Sequence, residues 1–247
     1  MRILAMDSAV GSVSAAVLED ERVLAEGTSN AGRNASTDLL PMVAFVLRTA
    51  GVRIGDVDLI ACTEGPGSFT GLRIGIATAK GLALAAGKPL VGVSSLEALA
   101  CNPARPGVTI CPMIDARRNQ VYAALFGADD RGNLQRIRPD ELADLACCLR
   151  GLVGEVVFVG SGAARYAGDI RRLLSPAAVF ASDHHHLIRA SAVGRLGLRN
   201  YRQQGAVEPV RFMPRYLRTS DAEGKMARRA DDVRTPDKCT GKRDPEC

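Results

Sequence analysis

The chain sets out the same order of elements twice, and this repetition limits its architecture more than any single motif does. In the first hundred residues, "RILAM", "GSVSAAVLED" and "ERVLAEG" read as a meander of three strands that turns at Glu19 to Glu21. "STDLLPMVAFVLRTAG" follows at helical spacing, with Leu39, Leu40, Val43 and Leu47 on one face, Pro41 near the first turn and Gly51 placed to stop it. Then come the strand "DLIAC", a glycine-rich turn with its helix, the strand "PLVGV" and the helix start "SSLEALA". The second half offers the strands "TICPMID", "QVYAALFG" and "GNLQRI", the helix "PDELADLACCLR", the strand "EVVFVG", the helix "AARYAGDIRRLL", the short strand "AVF" and the closing helix "LIRASAVGRLGLRNY". A shift of 108 aligns Asp7 with Asp115, Val13 with Val121 and Ala15-Ala16 with Ala123-Ala124, and "GPGSFTG" has a counterpart in "GSGAARY". The reading is an α/β chain made of a duplicated β-β-β-α-β-α-β-α unit.

Two such lobes facing each other form the architecture of actin, hexokinase and Hsp70. The expected division is an N-terminal lobe over residues 1–102, a C-terminal lobe over 103–222 and a charged, disordered tail over 223–247. With 4% aromatic residues and no tryptophan, the interior has to be filled by small aliphatic side chains, which suits helices packed closely on sheets. The net charge is +5, but Lys225 to Cys247 carries seven basic and five acidic residues, so the body holds only about +3. That is too little for strong nucleic-acid binding by charge alone. Seven cysteines with no C-x-x-C pair fit buried reduced thiols rather than disulfides or zinc. The opening "MRILAMDSAV" meets Asp7 too early for a signal peptide, and no apolar run approaches a membrane span, so the expectation is a soluble cytoplasmic protein.

Few residues can carry chemistry. All three histidines lie in His184 to His186, either a solvated loop before a helix or, with Asp183, an adventitious metal site. Asp7 and Asp115 could hold magnesium on a nucleotide or serve as a general base across a cleft; alternatively each caps its own hairpin turn. Ser94 and Glu97 form a capping box. Arg195, Arg199 and Arg202 make a basic helix face, either plainly solvated or available to RNA phosphate.

"GPGSFTGLRIG" (residues 65–75) allows two readings. Its glycines lead from a strand into a helix, where free N–H groups could bind an anion. The spacing matches neither G-x-x-x-x-G-K-[ST] nor G-x-G-x-x-G, however, and Lys80 and Lys88 are too distant for a P-loop lysine. Gly71, Gly75 and Ala79 instead recur every four residues as a smooth strip against which another backbone can lie. With Leu39, Leu40, Val43 and Leu47 this strip is expected to form half of a helical bundle with another chain, although internal packing explains part of the pattern.

The same stretch, together with "LAMDSA", "DARRNQVY" and "PRYLR" (Pro214 to Arg218), resembles the bacterial TsaB (YeaZ) family from Met1 to about Arg218. The resemblance implies an ASKHA-like two-lobed fold and a cytoplasmic role in forming N6-threonylcarbamoyladenosine beside the anticodon of tRNAs that read codons beginning with A. It also implies a subunit that does not catalyse the transfer. Such a subunit pairs through its N-terminal lobe with the paralogue TsaD, which binds metal and transfers the threonylcarbamoyl group from an adenylate, while the ATPase TsaE joins them. TsaD carries two metal-binding histidines four residues apart in a segment resembling "VGVSSLEALA", where this chain has Ser95 and Leu99. Many relatives also have a His-Ser-Glu-like segment before the first helix, whereas this chain reads "NASTDLL".

Two function classes follow. One is a scaffold that activates a TsaD-like transferase, meets tRNA through the complex, has ATP or ADP only as a possible ligand of that complex, and forms a possible homodimer alone. The other is a stand-alone kinase-like or metallopeptidase-like enzyme of the same fold, for which the peptidase ligands are missing and the kinase would need Asp7 and Asp115.

Overall fold

In the computed structural model of the chain, residues 1–30 and 35–218 are described. Asn34 and the tail expected over 223–247 lie outside the described residues. The first half runs β1 (Arg2–Asp7), β2 (Val13–Glu19), β3 (Arg22–Ser29), α1 (Ala35–Ala50), β4 (Leu59–Gly65), α2 (Phe69–Ala86), β5 (Leu90–Ser94) and α3 (Ser95–Ala100). The second runs β6 (Thr109–Asp115), β7 (Gln120–Ala128), β8 (Leu134–Asp144), α4 (Leu145–Leu149), β9 (Val156–Val159), α5 (Ser161–Arg165), α6 (Ala167–Leu174), β10 (Ala178–Phe180) and α7 (Ala190–Gln204).

The duplication is real in space. The first sheet has the order β3-β2-β1-β4-β5, and the second, taken from its other edge, has the equivalent order β8-β7-β6-β9-β10. In each, the meander pairs antiparallel and the two later strands add in parallel. Parallel neighbours need crossovers, and α1 and α2 supply them in the first lobe.

Alternation along β1 and β4 divides the faces of the first sheet. Leu4, Met6, Ile60 and Cys62 belong to a core shared with Leu39, Val43 and Val46 of α1 and Ile76 and Ala79 of α2. The opposite face carries Ala5 and Ala61, and α7 lies on it. A Cβ at Gly197 would stand 2.6 Å from the Ala61 Cβ, so there only glycine lets α7 come this close, and one at Gly194 would displace the end of the Leu18 side chain. The closing helix, placed by sequence order within 103–222, therefore packs on the first sheet. Phe212, just beyond it, is buried in the first lobe's core.

Local readings fail at three places. "PDELADLACCLR" is strand through Asp144, because Glu141 to Asp144 pair with Ala123 to Gln120 of β7, and only Leu145–Leu149 turn helical. "AARYAGDIRRLL" breaks at Tyr166 into α5 and α6. Pro41 stands seven residues into α1, well past its first turn.

Candidate functional site

The glycine-rich turn launches α2, with Ser68 as its N-cap accepting from the Gly71 N–H at 3.3 Å. The smooth strip that follows points inward. A Cβ at Gly71 would stand 2.1 Å from the Ser8 carbonyl oxygen, and one at Gly75 would stand 2.6 Å from Ser8 Oγ and 3.6 Å from Cys62 Sγ. Ser8 Oγ donates to the Gly71 carbonyl at 2.9 Å, which fastens α2 to the β1–β2 hairpin. Gly71, Gly75 and Ala79, read as a partner strip, are thus buried against the chain's own hairpin and sheet, as are Leu39 and Val43. Leu47 is half-buried against the same core. Of the seven candidate interface residues, Leu40 alone is exposed.

The outer face of these two helices has a different composition. Leu40 (55% exposed) and Phe45 (45%) on α1, and Phe69 (40%) and Leu84 (57%) on α2, stand in solvent, while Ala77 and Gly81 line α2 between them. Nothing lies within 4 Å of a Cβ built at Gly81. Phe69 is partly covered, with the Arg73 guanidinium 3.8 Å over its ring. Beside it, Tyr216 stacks on Phe69 at 5.1 Å and accepts from Arg73 Nε at 3.1 Å, and Lys80 Nζ donates to the carbonyls of Val210 and Phe212. The segment after α7 is tied along α2 in this way.

Asp7 and Asp115 repeat one device. Asp7 Oδ1 accepts from the Ala9 N–H at 3.0 Å, and Asp115 Oδ1 accepts from the Arg117 N–H at 2.9 Å, each bridging two residues ahead into its hairpin. Their surroundings then diverge. Asp7 is fully buried and accepts from Thr63 Oγ1 at 2.6 Å; burial raises its carboxyl to about 6, although Thr63, Ala9 and Ser8 pull it down. Asp115 lies nearer the surface, and Arg165 Nη1 reaches its other oxygen at 3.1 Å. In this structure both aspartates, the candidate nucleotide-binding pair, cap their hairpins, Asp7 sealed from solvent and Asp115 paired with Arg165.

The second hairpin is also tighter. Asp7 faces Ser14, seven residues on, whereas Asp115 faces Val121, six residues on. The shorter return is made by three consecutive residues in the left-handed region, Arg117 (φ 59°), Arg118 (φ 53°) and Asn119 (φ 60°). For Arg117 and Arg118 this costs on the order of 1–2 kcal/mol per residue, and less for Asn119, whose side chain tolerates the conformation.

Between the lobes, Asp140 of β8 is buried and accepts from Ser94 Oγ at 2.8 Å, from Arg136 and from Arg215 Nη1 at 3.3 Å. Glu97 of α3 takes Arg136 Nη2 at 3.0 Å and Arg199 Nη2 at 2.6 Å. Only half of the capping box therefore forms: Ser94 caps α3, while the Glu97 carboxylate turns to arginines. On the arginine face of α7, Arg199 pairs with Glu97, Arg195 donates to the Glu21 carbonyl and Arg202 lies beside Asp20, and Arg195 and Arg202 remain exposed. Burial raises the nearby Glu64 carboxyl, and Arg215 opposes this. Ser95 and Leu99 are fully buried, with Leu99 Cδ2 2.4 Å from where a Cβ at Gly160 would stand.

His186 Nδ1 accepts the Gly160 N–H at 2.8 Å, and burial lowers its pKa below the ordinary 6.5, which keeps the ring a neutral acceptor. Among the described residues no group of three His, Cys, Asp or Glu side chains could hold a metal ion. The five described cysteines are free; burial pushes the Cys101 and Cys148 thiols up to about 12 and those of Cys62 and Cys111 higher still. No helix among the described residues is long and apolar enough to cross a membrane.

Two equivalent mixed sheets, each opening with an aspartate-capped hairpin, define the two-lobed ASKHA class to which actin, Hsp70 and hexokinase belong. Residues 28–147 match the family model TsaD, tRNA N6-adenosine threonylcarbamoyltransferase. The tRNA threonylcarbamoyladenosine biosynthesis protein TsaB of Bacillus subtilis is 33% identical over 228 residues, which cover 91% of this chain and 97% of that one. The TsaB of Escherichia coli is 38% identical over 174 residues, 66% of this chain and 72% of its own. YeaZ from Pseudomonas aeruginosa superposes with a TM-score of 0.76 at 27% identity, covering 87% of this chain and 99% of the other. The chain belongs to the TsaB (YeaZ) family of tRNA threonylcarbamoyladenosine biosynthesis proteins.

Proposed function

We propose that this chain is the non-catalytic, activating subunit of a complex that places threonylcarbamoyl on tRNA adenosine, and that it holds a TsaD-like transferase on the outer face of α1 and α2. The observation that carries this reading is that Leu40, Phe45, Phe69 and Leu84 are exposed on two helices whose inner faces are already packed. Ala77 and Gly81 keep the ground between them low, so the backbones of two partner helices can approach as in a four-helix bundle. Family membership supplies the pathway. The burial of Ser95 and Leu99, at the positions where the resemblance puts the transferase's metal-binding histidines, supports a structural role for α3 here. In this reading a TsaE-like ATPase and tRNA meet the complex rather than the isolated chain, and a second copy of the chain can cover the same face when the transferase is absent.

Co-purification with the TsaD-like protein of the same cell, followed by measurement of tRNA modification with and without this chain, tests the proposal. Leu84→Arg should abolish both partner retention and modification while leaving the thermal transition of the free chain unchanged. Full modification by the transferase without this chain would overturn the activating role, and partner retention by Leu84→Arg would overturn the surface.

A further inference from the structure

Along α2, Phe69, Arg73, Ala77 and Gly81 follow one another at four-residue steps and are all exposed, so they make one ridge on the face turned away from the sheet. Arg73 carries the only charge on this ridge, and its side chain is held in place. Its Nε donates to the Tyr216 hydroxyl at 3.1 Å, and its guanidinium carbon lies 3.8 Å from the centre of the Phe69 ring. Tyr216 stacks on the same ring at 5.1 Å, and the residue before it is anchored twice: the Arg215 N–H donates to the Glu64 carbonyl at 2.7 Å, and Arg215 Nη1 donates to Asp140 at 3.3 Å. Nε and one flat side of the Arg73 guanidinium are therefore engaged. Among the described residues no carboxylate takes its two terminal nitrogens.

A cation in this place bears directly on what can pack there. A helix that closes on the ridge strips water from the guanidinium, and a buried charge left without an acceptor opposes the contact. The two outer helices hold little to answer it, since α1 and α2 contain a single carboxylate between them, Asp38 in the first turn of α1. We infer that Arg73 is the residue by which this face selects its partner: its terminal nitrogens take a carboxylate from the helix that packs on the α2 ridge, a group that the TsaD-like transferase brings and that a second copy of this chain offers only at Asp38. The end of a guanidinium donates two parallel hydrogen bonds to one carboxylate, and a side chain already fixed by Tyr216 and Phe69 loses little freedom on docking. This inference rests on the proposed complex, in which the transferase is held on the outer face of α1 and α2.

The test measures the affinity of the full chain for the TsaD-like protein of the same cell at several salt concentrations. Arg73→Gln should weaken binding at least about tenfold at low salt, as expected when one member of a desolvated charge pair is removed, and should flatten the salt dependence. Arg73→Lys keeps the charge without the fork, so it should keep the salt dependence and lose part of the affinity. Arg73→Glu should lose the partner, and changing one acidic residue on the transferase's packing helices to lysine should restore it. Self-association of the free chain should not weaken in Arg73→Gln. Wild-type affinity and salt dependence in Arg73→Gln, with Leu84→Arg still losing the partner, overturns this inference and leaves the proposed surface standing. Weaker binding with a wild-type salt dependence, or no restoring change on the transferase, overturns it in favour of a structural role for the corner of Phe69, Arg73 and Tyr216. Weaker self-association overturns the selection, because the carboxylate is then Asp38 of a second copy. Retention of the partner at wild-type affinity by both Arg73→Gln and Leu84→Arg removes the surface itself.

Discussion

Asp7 shows how one residue can serve a fold and tax it at the same time. Its carboxyl sits without solvent, caps its hairpin through Ala9, receives Thr63, and still leaves Oδ2 without a partner among the described residues. A folded value near 6 lies above the ordinary 3.8. Its stabilising contribution is therefore fully present below 3.8 and is lost as pH rises through about 6, on the order of 3 kcal/mol across that window. Asp7→Asn cannot titrate, so its stability relative to the wild type should climb by about that amount between pH 4 and pH 7 in urea unfolding. A difference between the two that stays flat over this range would show that Asp7 is ionised throughout. The residue's type and its equivalence to Asp115 are plain in the sequence, but its burial is not. Burial depends on how α7 covers that face of the sheet, which no local pattern states.

At the level of elements, the two faces of α2 make opposite demands on glycine. Gly75→Leu should lower stability by more than about 3 kcal/mol, because its Cβ would meet Ser8 Oγ at 2.6 Å and overpack a fixed hairpin. Gly81→Leu faces open space and should leave stability unchanged or raise it by about 0.5–1 kcal/mol through helix propensity. Thermal unfolding of the two variants side by side checks this, and equal melting of both would contradict the inward strip. The four-residue spacing of Gly71, Gly75 and Ala79 did reveal a close-packed backbone, yet spacing cannot say which backbone. The residues that do face out, such as Phe45, Phe69 and Leu84, have no such periodic mark. Element order was legible almost throughout because strand and helix periods differ clearly. The exception, "PDELADLACCLR", went to β8 because pairing with β7 outweighs the helix propensity of Glu141, Leu142 and Ala143. The destination of the Glu97 carboxylate was equally hidden, since Arg136 and Arg199 are distant in sequence.

Across the whole molecule, the lobes are joined by a polar cluster as well as by apolar packing. Asp140 draws together Ser94 of the first lobe, Arg136 of its own strand and Arg215 of the closing segment. Asp140→Ala should cost about 2–4 kcal/mol, because two guanidinium groups and a hydroxyl lose a buried acceptor. Arg172→Ala, which removes an exposed pair with Asp169, should change stability by less than about 0.5 kcal/mol. Denaturant midpoints for the two variants test the contrast, and equal effects would show that the cluster adds nothing beyond a surface pair. The seating of α7 and Phe212 on the first lobe also bears on the order of events during synthesis. When Ser94 leaves the ribosome, one face of the first sheet has no cover until α7 follows, a wait of about 6–22 s to Gln204 at ordinary elongation rates. The second lobe has its own strands and helices to hand much earlier, so the half made first is the half completed last.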